Sequence, residues 1–321
     1  MKLVIYKASL PVKAQKSPEK MSGFTAFAAG AKRHGVSIAE TDAGEAIRCD
    51  VGLVFSFVDL HQPDANLIPY MRVRKRIFNT SAGNLFFFEN DVLKDYNNKL
   101  VMRFPFRSVY DHEAEYFLDH VPDERTDAAF KHIEADIKKG SRRRKSEDKV
   151  VITLNRLAGY GRCGVAQFEW AYNLIKDLRA KSPSRGITIR LHPGNVKNRG
   201  GINLTQVQTD KRFYKTIVNE YPDVKMYLPK RKTYLENLDG SAIHVFNSSS
   251  ASCESILRGG KTVVTHPSAF SWNFSPHSLE DDTPSDPIGL LSKYKKTHFT
   301  KGEVESGLYW DYIKNGLKEV L

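Results

Sequence analysis

Several short polar segments in the second half of the chain carry residue types suited to holding an anion and moving a proton. Arg190-Leu191-His192-Pro193-Gly194 sets a guanidinium and an imidazole beside a proline-stiffened turn. The imidazole can donate a hydrogen bond to a phosphate or act as acid or base. Asn247-Ser248-Ser249-Ser250-Ala251-Ser252-Cys253-Glu254 collects hydroxyls ahead of a carboxylate. One serine suffices to cap a helix, so a run of them favours a bound anion at that helix start. Glu254, a turn further in, can accept hydrogen bonds from sugar hydroxyls. The stretch Asn155–Gly164, NRLAGYGRCG, is glycine-rich. Gly159, Gly161 and Gly164 allow the backbone to bend and approach a ligand closely, and Arg156 and Arg162 add charge. Its spacing is neither that of a P-loop nor of a dinucleotide fingerprint, so it reads equally as a phosphate cradle or as a plain connector. A further His-Pro step, His266-Pro267, is either a second wall of the same pocket or simple packing.

These segments matter because of the elements that should hold them. Val150–Leu154 (VVITL), the run GITI before Arg190, Val224–Leu228, Ala242–Phe246 and Thr262–Thr265 are short apolar runs of the kind buried in a parallel sheet. Gln167–Lys181, Lys211–Tyr221, Thr233–Leu238 and Ser250–Leu257 read as intervening helices. Alternation of this kind predicts a doubly wound parallel sheet, whose ligands bind beyond the carboxyl ends of the strands. Each polar segment above follows a strand, as that rule requires. The first part of the chain has a similar rhythm. Lys2–Lys7 and Asp50–Val58 read as strands, Arg76–Thr80 and Leu85–Phe88 as further candidates. Phe24, Phe27, Ala28 and Ala31 recur at helical spacing and Gly35 ends that helix. The apolar-free run KKGSRRRKSEDK, 138–149, reads as a linker or surface loop. The expected organisation is therefore an N-terminal domain over 1–145, a C-terminal domain over 146–300, and a helix over 301–321.

Composition narrows the classes. The chain has 321 residues, enough for two cores. Lys and Arg total 49 against 37 Asp and Glu, a formal net charge of +12, which favours polyanionic partners. Cys49, Cys163 and Cys253 are odd in number and unpaired in spacing, which argues against a disulfide framework or a zinc site and suits a reducing cytoplasm. The opening MKLVIYKASLPVKAQ is too broken by charge and proline for a secretory signal, and no apolar run reaches the roughly 18 residues of a membrane span.

His-Pro after one strand, followed by a serine pair opening a later helix, resembles the sialyl- and Kdo-transferases of bacterial surface polysaccharides. The run NSSSASCESILRGGKTVV is similar to the wider GT-B donor-site pattern. The resemblance covers residues 150–275. It implies two Rossmann-like domains facing a cleft, with the last helix crossing back to brace the N-terminal domain. It also implies a nucleotide sugar, UDP- or CMP-linked, as co-substrate rather than a tightly bound cofactor, and no metal. His192, Ser248, Ser249 and Glu254 become donor-binding positions, joined on chemical grounds by Asn155, Gly161, Arg162, Arg190, Asn247 and Ser250. In size and basicity the chain also resembles phage enzymes that glycosylate hydroxymethylated bases in DNA, a likeness of fold and charge rather than of motif.

Transfer also needs a base for the acceptor hydroxyl. Asp59 and His61 in FVDLHQPD are the favoured candidates, with Glu89, Asp91 and Asp111 behind them. A duplex DNA acceptor would be held through its phosphates by Arg72, Arg74 and Arg76 and by Arg142, Arg143 and Arg144. Both clusters read alternatively as solvated surface. The expected enzyme thus acts on duplex DNA or, alternatively, on a capsular or surface glycan. A non-catalytic nucleic-acid-binding protein on the same scaffold is the third reading.

Overall fold

A computed structural model describes residues 1–9, 15–16, 18–42, 47–55, 84–90, 101–103, 149–155, 166–192, 204–228, 242–267 and 269–318. In chain order its strands are β1 (Lys2–Tyr6), β2 (Ser37–Thr41), β3 (Val51–Phe55), β4 (Asn84–Asn90), β5 (Val101–Arg103), β6 (Lys149–Thr153), β7 (Gly186–Arg190), β8 (Lys225–Tyr227), β9 (Ile243–Phe246), β10 (Thr262–Val264) and β11 (His298–Thr300). The helices are α1 (Pro18–Arg33), α2 (Gln167–Lys181), α3 (Leu204–Glu220), α4 (Ala251–Leu257), α5 (Pro287–Thr297), α6 (Lys301–Ser306) and α7 (Leu308–Lys318). The chain divides into two compact α/β units, residues 1–130 with 292–321, and residues 131–291. Each is Rossmann-like.

The first unit holds a six-stranded sheet in the order β11-β5-β4-β3-β1-β2. Strands β1 to β4 run parallel; β5 is antiparallel to β4, and β11 antiparallel to β5. A strand apolar on both faces can only sit inside such a sheet. In β1, Leu3 and Ile5 pack in one cluster, whereas Val4 and Tyr6 pack in another with Val54. Helix α1 lays Phe24, Phe27 and Ala31 on the first of these clusters, the stripe that a 3.6-residue period produces. It stops at Gly35 (φ 68°), where Val36 N–H bonds Ala31 O and Gly35 N–H bonds Lys32 O, each at 3.1 Å. Those are the two bonds of a Schellman cap.

The end of the chain completes this core. Phe299, Val304, Tyr309, Trp310 and Ile313 pack with Phe24 and Phe27, and the Trp310 indole N–H donates to Phe27 O at 3.0 Å. The return to the first unit begins at Ser292, ahead of residue 301. It includes strand β11, which a three-residue HFT segment does not announce. The single terminal helix expected from periodicity is two helices, parted at Gly307, whose φ of 91° no continuous right-handed helix accommodates.

The second unit is a five-stranded, wholly parallel sheet in the order β10-β9-β6-β7-β8. Numbered within the unit from β6, this is 5-4-1-2-3, the Rossmann order read backwards. Val150, Ile152, Ile187, Ile189, Ile243, Val245 and Val263 fill its core with Phe168, Ala171, Ile175 and Leu178 of α2 and Ile217 of α3. Helix α3 begins at Leu204, a turn and more before the expected Lys211, and β8 is shorter than the apolar run that suggested it. The expected helix 233–238 lies outside the described residues. Among the described residues, no helix is long and apolar enough to cross a membrane.

Candidate functional site

The carboxyl ends of the second sheet finish level with one another. Thr153 of β6 stands in register with Arg190 of β7 and with Phe246 of β9; Arg190 pairs Tyr227 of β8, and Phe246 pairs Val264 of β10. The residues that follow each strand therefore emerge along one edge: Asn155, His192, Asn247 with Ser248, and Thr265 with His266. Strands β7 and β8 extend to one side of β6, and β9 and β10 to the other. The order reverses between β6 and β9, the position where open α/β sheets leave a crevice for ligand.

Asn155 and Ser248 meet across that reversal. The Asn155 Nδ2 group donates to Ser248 Oγ at 3.0 Å. Asn155 is 8% exposed, and its Oδ1 has no hydrogen-bond partner among the described residues; the same holds for Oδ1 of Asn247, 3% exposed. The Asn155 backbone is held as well, its N–H donating at 2.9 Å to Oε1 of Gln167, a fully buried side chain in the first turn of α2. The next residue, Phe168, donates its N–H at 2.8 Å to Oδ1 of Asp210, buried on α3.

That last bond explains how α2 can start where it does. Its N-cap is Ala166, with φ −67° and ψ 122° and no side chain able to accept. A carboxylate from a neighbouring helix fills the role that a local Ser or Asp usually fills, and its charge also suits the positive end of the helix. Neither Gln167 nor Asp210 was singled out by sequence reasoning. The available signal was the missing cap: an apolar helix opening on Val-Ala needs its acceptor from elsewhere.

The serine run is more fully engaged than its sequence suggests. Ser249 Oγ accepts from Ala251 N–H at 3.3 Å, and Ser252 Oγ donates to Ser249 O at 2.6 Å and lies 2.5 Å from Ser271 Oγ. Ser252 and Ser271 are buried, so this pair ties the turn after β9 to the segment after β10. Ser250, at the helix start, has helical φ and ψ and makes no side-chain cap bond. Helix α4 has 7 residues, and Glu254 within it is 2% exposed. Beside it, Thr265 Oγ1 accepts from the Trp170 indole at 3.0 Å, which braces the end of β10 against α2. Arg190 is 4% exposed and His192 half-buried.

The structure thus brings Asn155, Arg190, His192, Asn247, Ser248, Ser249 and Ser250 to one edge of one sheet, with Glu254 buried behind them. No family model matches this chain, and no curated protein does. Among solved structures, it is similar to the beta-Kdo 2,4 transferase of KpsC from Thermosulfurimonas dismutans, at 11% identity over 92% of this chain and 90% of that one, with a TM-score of 0.48. It is also similar to the beta-Kdo 2,7 transferase of KpsC from the same organism, at 10% identity over 96% and 99%, with a TM-score of 0.46. Both likenesses are distant.

Gly161 and Arg162 lie outside the described residues. So do the catalytic candidates Asp59 and His61, and the arginines 72, 74, 76, 142, 143 and 144. Asp91 and Asp111 lie outside them too. Glu89, expected just beyond a strand, is inside β4, opposite Arg103 of β5. Among the described residues, no cluster of His, Cys, Asp and Glu has the makings of a metal site.

Proposed function

We propose that the chain is a nucleotide-sugar-dependent glycosyltransferase that builds a bacterial surface or capsular polysaccharide. The observation that carries this reading is the Asn155–Ser248 bridge over the strand-order reversal, level with the turn at His192. The two motifs that resemble those of sialyl- and Kdo-transferases, His192-Pro193 and Ser248-Ser249, begin at the tips of β7 and β9, the two strands that flank β6 in one sheet.

In such a transfer the bond between the anomeric carbon and the phosphate oxygen breaks, and the acceptor hydroxyl oxygen bonds to that carbon. The departing nucleotide keeps the electron pair, and the acceptor proton passes to a base. Fixed donors that meet the growing phosphate charge lower the barrier most. Arg190 and His192 are the donors assigned to that task, with Arg162 as a third. The base is assigned to Asp59 or His61.

A thermal-shift screen with CMP-, UDP- and GDP-sugars tests the donor site. Ligand at a hundred times Kd stabilises the native state by about 2.7 kcal/mol. A domain of this size then melts roughly 5–10 °C higher. The shift should shrink in His192→Ala and Ser248→Ala. Stabilisation by none of the three families would refute the reading.

The net charge of +12 supports a second acceptor, a hydroxymethylated base in DNA. Its phosphate contacts would come from the arginines that lie outside the described residues, so the motif-bearing site favours the glycan. A gel shift separates them. Tight duplex binding that fades steeply with salt, together with sugar transfer, would select DNA. Duplex binding without nucleotide stabilisation would select the non-catalytic nucleic-acid-binding reading.

A further inference from the structure

Resting on that reading, we propose that Asn155 receives a hydrogen-bond donor of the nucleotide, a ribose hydroxyl or a base amine, rather than its phosphate, and that Gln167 is the positioning residue that holds Asn155 there. The Asn155 carboxamide gives one of its two N–H groups to Ser248 Oγ and keeps its Oδ1 buried and without a partner among the described residues. A buried carbonyl left without a donor costs about 1–3 kcal/mol. An ionised phosphate is acceptor-only and cannot relieve that cost; a hydroxyl or an amine can. The oxygen belongs to a residue at the reversal between β6 and β9, where ligand is expected to lie.

Asn155 lies two residues past the end of β6, and its side chain could swing away if its backbone were loose. It is not: Gln167 Oε1 accepts its N–H at 2.9 Å. Gln167 is itself wholly buried, on a helix whose first turn is secured by Asp210. The carboxamide of one residue thus fixes the backbone of another, whose own carboxamide spans the crevice.

The test uses the full chain and measures Kd for CMP, UMP, cytidine and uridine by calorimetry, with melting temperature and circular dichroism as folding controls. In Asn155→Asp the acceptor oxygen survives, and Ser248 can donate to it instead. In Asn155→Ala the acceptor is lost. The nucleotide that binds wild type should lose about tenfold in Asn155→Ala, and its nucleoside by a similar factor. Asn155→Asp should keep affinity for both within about threefold. If a phosphate occupied this point, Asn155→Asp would repel it; loss of the nucleotide as severe as in Asn155→Ala, with the nucleoside spared, overturns the proposal. Gln167→Met keeps the length and removes the acceptor. Its loss of affinity should vanish in the Asn155→Ala background, because it acts through Asn155. Additive losses would overturn the positioning role. No binding of any of the four compounds to wild type, together with no stabilisation by a CMP-, UDP- or GDP-sugar, is a different failure, that of the nucleotide-site reading itself.

Discussion

Adding one methyl group to helix α1 should loosen the C-terminal part of the first unit. A Cβ on Gly30 would lie 2.2 Å from the backbone oxygen of Val304, 3.0 Å from Cδ1 of Trp310 and 3.4 Å from Cα of Gly307. The first neighbour is backbone, so α6 must retreat by about 1 Å to restore ordinary contact, a gap that forfeits a quarter to a half of the local dispersion energy. Trp310 is fully buried against Phe27, with ring centroids 4.9 Å apart. A buried tryptophan covers roughly 200 Å², worth about 5 kcal/mol, so a quarter to a half of that is about 1–2.5 kcal/mol. Overpacking strain adds about 1–3 kcal/mol, while replacing a helical glycine by alanine returns about 1 kcal/mol. The net expectation for Gly30→Ala is a loss of about 1–4.5 kcal/mol. Gly302→Ala is the matched control: it lies in α6, and nothing stands within 4 Å of its added Cβ. That variant should be neutral or gain up to about 1 kcal/mol. Urea unfolding of wild type and both variants, with the m-value checked for constancy, gives the comparison. If Gly30→Ala matches wild type or exceeds it, the close approach of α6 to α1 is wrong.

The remaining expectations concern pH and the α2 start. Burial pushes the Tyr6 phenol up to about 12, while its hydroxyl donates to Ile47 O at 3.1 Å and accepts Ile47 N–H at 2.9 Å. An unfolded tyrosine ionises near 10, so this contribution is complete below about pH 10 and is lost as pH rises towards 12, up to about 2 kcal/mol in all. Urea melts at pH 9 and 11.5 should show that slope in wild type and a flatter one in Tyr6→Phe, which is itself less stable at pH 9; equal slopes would contradict it. Asp210→Ala strips the side-chain acceptor of Phe168 N–H and should cost about 1–2 kcal/mol. Asp210→Asn keeps an acceptor and should cost less, which chemical denaturation of the two variants will rank. Cys49 is half-buried and burial holds its thiol above the ordinary range, so its alkylation at pH 8 should run slower than that of a free model thiol.

Much of this protein was legible in its residues, because strands and helices announce themselves by local pattern. Val150, Val151 and Ile152 are apolar on consecutive positions, which suits a sheet covered on both faces, Ile187 and Ile189 alternate as a strand does, and Phe24, Phe27 and Ala31 keep helical spacing on one stripe. The polar turns were legible too, since each begins where an apolar run ends. Strand order was not, because the pairing of β6 with β9 joins segments far apart in the chain and no local pattern encodes it. That pairing alone sets Asn155 beside Ser248. The same is true of Gln167 and Asp210: each is an ordinary helical residue by sequence, and each acquires its role only when folding buries it within reach of an unsatisfied N–H. Likewise β11 and the break at Gly307 are decided by the first unit's need to cover its core, which Phe299 and Trp310 answer from the far end of the chain. Composition and periodicity determined the elements; burial of those elements against one another decided which polar atoms would meet.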